Sequence, residues 1–370
     1  MINPQQNTEY YPALTGIRAV AAYLVFIHHF NPFTEKLAGR TVNYFFGELH
    51  TGVTFFFVLS GLLICLKYYD SFDKKLLSFY NYMIKRFARI YPVYFLILTL
   101  NFIYYNNTFF FENTPVQNGW FYYIGGITFL KGFFEGHATT FVGQSWSLTV
   151  EETFYLLAPL TFILIHRKKQ SLYILPAMLI IFGCILVFVF YNNYTGFFKS
   201  FRFMFSYTFF GRCIEFFTGI FLALLYKRSV REVKKSAWFT YAGLLNIFIC
   251  IWLLSTFRNE DHYGDYHPAG IFINNVLLPL SGIALLYWGL LTEKSIIRIF
   301  LSTSLLSVLG KSSYAFYLVH VGVFSSLLLN HVSSNFIVLF IFLNLISVAI
   351  YNFFELPLEK TIKATFLKKG

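Results

Sequence analysis

Apolar residues run along this chain in stretches too long for the core of a water-soluble domain, with polar residues gathered between them. A helix that crosses a bilayer needs about 20 mainly apolar residues. Ten stretches approach that length, at 14–31, 52–69, 90–106, 147–165, 172–191, 203–226, 237–256, 271–291, 312–330 and 335–354. The expected fold is all-α: a polytopic transmembrane helix bundle of about ten spans, forming one membrane domain over 1–370 with no appended soluble domain. The aromatic stretch 119–134 is long enough for an eleventh span, but counting it would carry Arg167, Lys168 and Lys169 to the outer side. It therefore reads as a re-entrant or interfacial piece. No basic region precedes the first stretch, and His28, His29 and Phe30 stand where a cleavage site would need small residues. That stretch is expected to remain in the mature protein.

Composition narrows the class further. Of 370 residues 57% are hydrophobic, 22% aromatic and only 12% charged, against about 25% charged in a typical soluble domain. Forty-nine Phe and 27 Tyr cannot all be hidden in one soluble core, whereas a bilayer tolerates apolar surface. The four cysteines lie inside apolar runs without CxxC spacing, so neither a disulfide framework nor a metal site is signalled. The formal charge of +12 reports orientation rather than nucleic acid, for no basic-aromatic binding module is visible. With ten spans and both termini cytoplasmic, the inner connections hold 20 Lys and Arg and the outer ones six. Positive residues are retained inside, so this is the orientation expected.

Ionisable side chains within the apolar stretches stand out, because each is costly in lipid. Arg18 and His29 share the first stretch. Eleven residues make about three helical turns, which puts both on nearly one face roughly 16 Å apart. Such a helix suits an anion near the inner surface and proton chemistry deeper in, unless Arg18 merely snorkels and His29 is an interior histidine with its bonds satisfied. Trp146-Ser147-Leu148-Thr149-Val150-Glu151-Glu152 opens the fourth stretch. The two acids point about 100° apart, so one is expected to face the interior. They suit a helix N-terminus electrostatically, or one of them orients an imidazole, with His29 the natural partner. Arg212 and Glu215 at i, i+3 pair most cheaply with each other. Ser313-Tyr314-Ala315-Phe316-Tyr317-Leu318-Val319-His320 adds a second histidine with hydroxyls nearby. Four such groups on different spans are expected around one water-accessible cavity. Arg86 and Arg89, in the inner loop before Ile90-Tyr91-Pro92, set topology and can also clamp phosphate in bidentate fashion.

Taken in order, these blocks resemble the acyltransferase-3 family of multi-span O-acyltransferases, which modify sugars of surface polysaccharides, lipopolysaccharide and peptidoglycan as well as small molecules. Leu14-Thr15-Gly16-Ile17-Arg18, followed by ten residues and His29, is similar to its opening motif. The block from Gly52 to Gly61, Arg86-Phe87-Ala88-Arg89-Ile90-Tyr91-Pro92, Trp146 to Tyr155, Arg212 to Gly219 and Ser313 to His320 are similar to the five that follow. Departures are Thr15 and Thr54 where the family usually has Asp, and Asn352 and Leu356 where arginines often flank the Glu at 355.

The resemblance implies an acyl-CoA donor, usually acetyl-CoA, arriving from the cytoplasm, and a carbohydrate hydroxyl as acceptor. It implies no permanently bound cofactor and a multi-pass place in a bacterial inner membrane. On this basis Arg18, Arg86 and Arg89 hold the coenzyme's phosphates, His29 takes the acceptor proton and Glu151 or Glu152 orients it. His320 and Ser313 polarise the carbonyl or bind acceptor, and Trp146, Ser147, Arg212, Glu215, Tyr314 and Tyr317 complete the binding surfaces. The competing class is a proton-coupled transporter using the same ionisable groups; it is disfavoured by the lack of an evident inverted repeat between 1–145 and 200–354.

Overall fold

The computed structural model describes residues 10–73, 78–106, 116–229 and 235–367. Lys74, Lys75, Arg231, Lys234, Lys368 and Lys369, which entered the charge count, lie outside these. Every expected stretch coincides with helix. The principal elements are α1 Pro12–His29, α2 Gly52–Asp73, α3 Phe79–Asn106, α4 Gly119–Ile127, α5 Ser145–Arg167 and α6 Ser171–Phe190. They continue with α7 Phe209–Arg228, α8 Trp238–Phe257, α9 Pro268–Thr292, α10 Ser313–Val319, α11 Val323–His331 and α12 Phe336–Phe366. Among the described residues no strand forms, and the single bridge joins Phe134 to Phe197. The protein is an all-α polytopic bundle.

Among the described residues eight helices are long and apolar enough to cross a membrane, and the pair α10–α11, bent by 67° at its break, makes nine if taken as one span. That is fewer than the ten expected. The shortfall is α1, whose 18 residues include Arg18, His28 and His29; these polar groups dilute its apolar character, with Arg18 and His28 half-buried and His29 exposed. The stretch 119–134 is a nine-residue helix followed by a tight turn at Leu130–Phe133. At about 1.5 Å per residue it is too short to cross.

Two local features position the polar residues. Where α2 crosses α7, a Cβ on Gly61 would stand 2.1 Å from the Phe216 carbonyl oxygen and one on Gly219 2.1 Å from that of Val58. Small residues let the two backbones touch, as membrane helices require when no hydrophobic force drives them together. The break between α10 and α11 is made by Gly322 at φ +115°, a conformation L side chains rarely adopt. Asn101 of α3 accepts the freed Val323 N–H at 2.9 Å, so the interrupted backbone is satisfied inside the protein. His320 sits at this break, fully buried.

Candidate active site

The polar groups gather at two ends of the bundle rather than in the one chamber expected. At the first end lies a cavity of about 810 Å³, its open mouth included, between α1, α2, α3, α5 and α10. Arg18, Arg86 and Arg89 line it together with Ser60, Ser147, Glu151, Tyr314 and Tyr317. The three guanidinium groups are not equivalent. Arg89 is taken up by Glu355 at 2.6 Å and Glu359 at 3.5 Å. Arg86 donates to the Tyr68 hydroxyl at 3.0 Å and stacks over the Tyr68 and Tyr155 rings. The buried Nε atoms of Arg18 and Arg86 have no hydrogen-bond partner among the described residues. Buried donors without acceptors are rare in native structures, and two aimed at one void mark a place for an anion. The expected Arg86/Arg89 pair is therefore asymmetric: all three arginines line the cavity, but Arg89 is already held by carboxylates. Glu355 finds its arginine on α3 rather than beside it in sequence.

Glu151 and Glu152 divide as their angular separation predicts, but not in the expected role. Glu151 lines the cavity and accepts hydrogen bonds from the Tyr155 hydroxyl at 2.5 Å and from Ser60. Glu152 does not line the cavity. The pairing of His29 with this acid pair is therefore corrected: His29 bonds elsewhere. Ser313 is corrected too, because its hydroxyl donates to the Gly310 carbonyl at 2.8 Å and does not line the cavity. Tyr314 donates to the Ile90 carbonyl at 2.8 Å.

At the second end His29 and His320 lie against each other. Nδ1 of His29 is 2.9 Å from the Val25 carbonyl oxygen, and Nδ1 of His320 is 2.8 Å from that of Tyr317. A carbonyl oxygen only accepts, so each Nδ1 carries the hydrogen when the ring is neutral. His320 Nε2 then faces His29 Nδ1 at 3.3 Å as an acceptor, and the lone pair of His29 Nε2 is left for a substrate proton. Thus the Val25 carbonyl, with a second imidazole at longer range, and not a carboxylate, faces His29 Nδ1.

A wider cluster surrounds this pair. The His28 ring stands 4.7 Å from His29 and 5.2 Å from His50. His50 is flanked by Asp265 at 3.4 Å and Glu48 at 3.8 Å. Burial alone would raise the Asp265 carboxyl, but His50, with Arg212 and Arg202 beyond it, brings it below its ordinary value. His50, Glu48 and Asp265 were not singled out in the sequence. Glu48 and His50 stand two apart just before the block at Gly52, and Asp265 is 215 residues from His50, so spacing offered no signal.

Between the ends stands Tyr317. It lines the cavity, its hydroxyl lies 2.8 Å from Ser147 Oγ, and its ring is 5.7 Å from that of His320. One layer of side chains therefore separates cavity and histidines. Arg212 and Glu215 belong to neither end. They form a bidentate pair at 2.8 and 2.7 Å, and Arg212 also reaches Thr54 at 3.0 Å. Thr54 in turn donates to Asn274 at 3.1 Å, and the pair packs under Trp146. It is a satisfied structural couple.

Over residues 11–352 the chain matches a family model described as an acyltransferase domain. It is 27% identical over 343 residues to the O-acetyltransferase OatA of Staphylococcus aureus (strain NCTC 8325 / PS 47), which covers 85% of this chain and 50% of that protein. To the peptidoglycan O-acetyltransferase OatA of Listeria monocytogenes it is 28% identical over 173 residues, 44% of this chain and 25% of that one. Further Staphylococcus aureus relatives are 25% identical over 386 residues, with 96% of this chain and 58% of their own length covered. The chain spans about half the length of these curated relatives. No solved structure matches.

Proposed function

We propose that this chain, which belongs to the acyltransferase-3 family matched over residues 11–352, is a membrane O-acyltransferase that moves an acyl group, acetyl foremost, from acyl-CoA to a sugar hydroxyl. The observation that carries this reading is the His29–His320 pair with its tautomers fixed, one layer of side chains from a cavity whose Arg18 and Arg86 have unpartnered donors. In this reading the two arginines hold the coenzyme's phosphates. The acceptor O–H donates to His29 Nε2, and the oxygen bonds to the acyl carbon as the carbon–sulfur bond breaks. The proton on His29 then passes to the departing thiolate, so charge and atoms balance. Tyr317 and Ser147, hydroxyls at the boundary, are the groups placed to donate to the thioester oxygen. The excess of Lys and Arg in the expected inner connections supports an orientation with the arginine end at the cytoplasm, where acyl-CoA is available.

The relatives named O-acetyltransferases support a carbohydrate acceptor and a cell-envelope setting. The test is thiol release from acetyl-CoA by the chain in nanodiscs, with glycan acceptors. Loss of the His29 base, as His29→Ala, is expected to lower turnover about 10²- to 10⁴-fold with donor affinity intact. Unchanged turnover in that variant removes His29 from the chemistry. Proton flux in liposomes without thiol release would support a transporter instead.

A further inference from the structure

We propose that a second cavity, at the histidine end and separate from the arginine-lined one, seats a sugar unit of the acceptor. This rests on the acyl-transfer reading and gives its acceptor an address. The cavity holds about 530 Å³ and is lined by Glu135, Thr139, Arg202, Phe203, Tyr207 and Tyr266 among others, within the range of small-molecule sites. Its frame is built from three connections far apart in sequence. Phe134 and Phe197 form an antiparallel bridge. The Glu135 N–H donates to the Gly196 carbonyl at 2.7 Å and the Phe198 N–H to that of Phe133 at 3.2 Å. Val187, Phe198 and Met204 pack beneath as a small core of their own, and Ser200 caps the following turn at 3.1 Å. A frame held this way keeps its lining in place.

The lining is chemically incomplete. Glu135 Oε2 and Arg202 Nε are both buried and have no hydrogen-bond partner among the described residues. One is an acceptor and the other a donor, so an occupant must offer both functions, as vicinal hydroxyls do. The Arg202 guanidinium carbon lies over the Tyr266 ring, 3.1 Å from its centre. The Phe203 and Tyr207 rings lie nearly parallel, 15° apart in plane, at 5.8 Å. Aromatic walls suit the C–H face of a pyranose. One carboxylate beside one guanidinium leaves little net charge, which favours a neutral polyol over an anion or a cation.

The location ties the cavity to the reaction. Tyr266 follows Asp265, which pairs with His50, and His50 adjoins His28 and then His29. The second cavity thus adjoins the histidine cluster through Tyr266 and Asp265, and it shares no lining residue with the donor cavity.

The experiment uses the full chain in nanodiscs, titrated with chitotetraose and with soluble glycan strands released from purified sacculi, and separately with acetyl-CoA. The unaltered protein is expected to bind at least one of the glycans. Glu135→Gln and Arg202→Lys, which change size little, are expected to weaken that binding about tenfold or more each, with acetyl-CoA affinity unchanged as the control for an intact fold. Glycan affinity equal to that of the unaltered protein in both variants overturns the proposal. So does failure of both glycans to bind the unaltered protein. Absence of acetyl-CoA binding would sink the donor reading instead, and the glycan titration still decides the cavity.

Discussion

Arg18 and Arg86 keep unpartnered donors in the first cavity, whereas Arg89, half-buried beside them, and Arg212, buried deeper in the same bundle, are each neutralised by glutamates. At the other end, imidazoles replace guanidinium groups and backbone carbonyls fix their tautomers. The contrast separates three uses of a polar group in a membrane. A paired cation is the inexpensive way to bury charge. An unpaired one with no carboxylate of its own, as at Arg18 and Arg86, leaves room for an anion. A neutral ring with one free lone pair implies a proton to be moved. In the proposed reading, donor binding and proton transfer fall to different ends, joined through Tyr317.

Removing the donors at the first end should have the largest effect. Each charge-assisted hydrogen bond contributes about 1.5–3 kcal/mol, so Arg18→Ala combined with Arg86→Ala is expected to weaken acetyl-CoA binding roughly 10²- to 10⁴-fold, read by titration. Glycan binding should be unaltered; if it falls in parallel, the two ends do not divide the labour. A smaller effect is expected from His320→Ala, which removes one of the two acceptors facing His29 Nδ1 and leaves the Val25 carbonyl. Turnover should drop about 10- to 100-fold, or about 1.4–2.8 kcal/mol in barrier, with donor affinity constant. His320→Gln, which can present an oxygen to the same N–H, should recover part of it. Equal loss in both variants would make His320 a packing residue.

The smallest effect concerns Asp265, whose carboxyl lies below its ordinary value of 3.8. For a depressed carboxyl the stabilisation is complete above the unfolded value and lost as pH falls through the folded one. Unfolding temperature should therefore fall below about pH 4. In Asp265→Asn that fall should be less steep, the difference corresponding to about 1 kcal/mol or less. Identical acid profiles would remove the Asp265–His50 pair from the ledger of the histidine end.

Much of the site was legible because membrane chains advertise their polar residues. Arg18, Arg86, Glu151, Tyr314 and Tyr317 all line the cavity, and lipid leaves few other reasons for such groups within apolar stretches. His320 was legible as a candidate, but not as the neighbour of His29, since the two are 291 residues apart. The expected Glu–His pair failed for a geometric reason. Glu151 turns toward Ser60 and Tyr155 on neighbouring faces of α2 and α5, a direction that helical phase on one element does not specify. Ser60 went unnoticed because a serine in an apolar helix ordinarily bonds its own backbone.

The run of apolar residues determined by itself that this is a helical membrane bundle, since only helices or closed barrels satisfy backbone groups in lipid. It also determined where each helix lies, because apolar length and helix length are set by the same bilayer thickness. Which cations stay unpaired, which ring lies against His29 and that Glu135 and Arg202 line one cavity were decided only by the tertiary structure. Those relations depend on rotation and crossing between helices distant in sequence, and close backbone contacts such as Gly61 against Phe216 settle them.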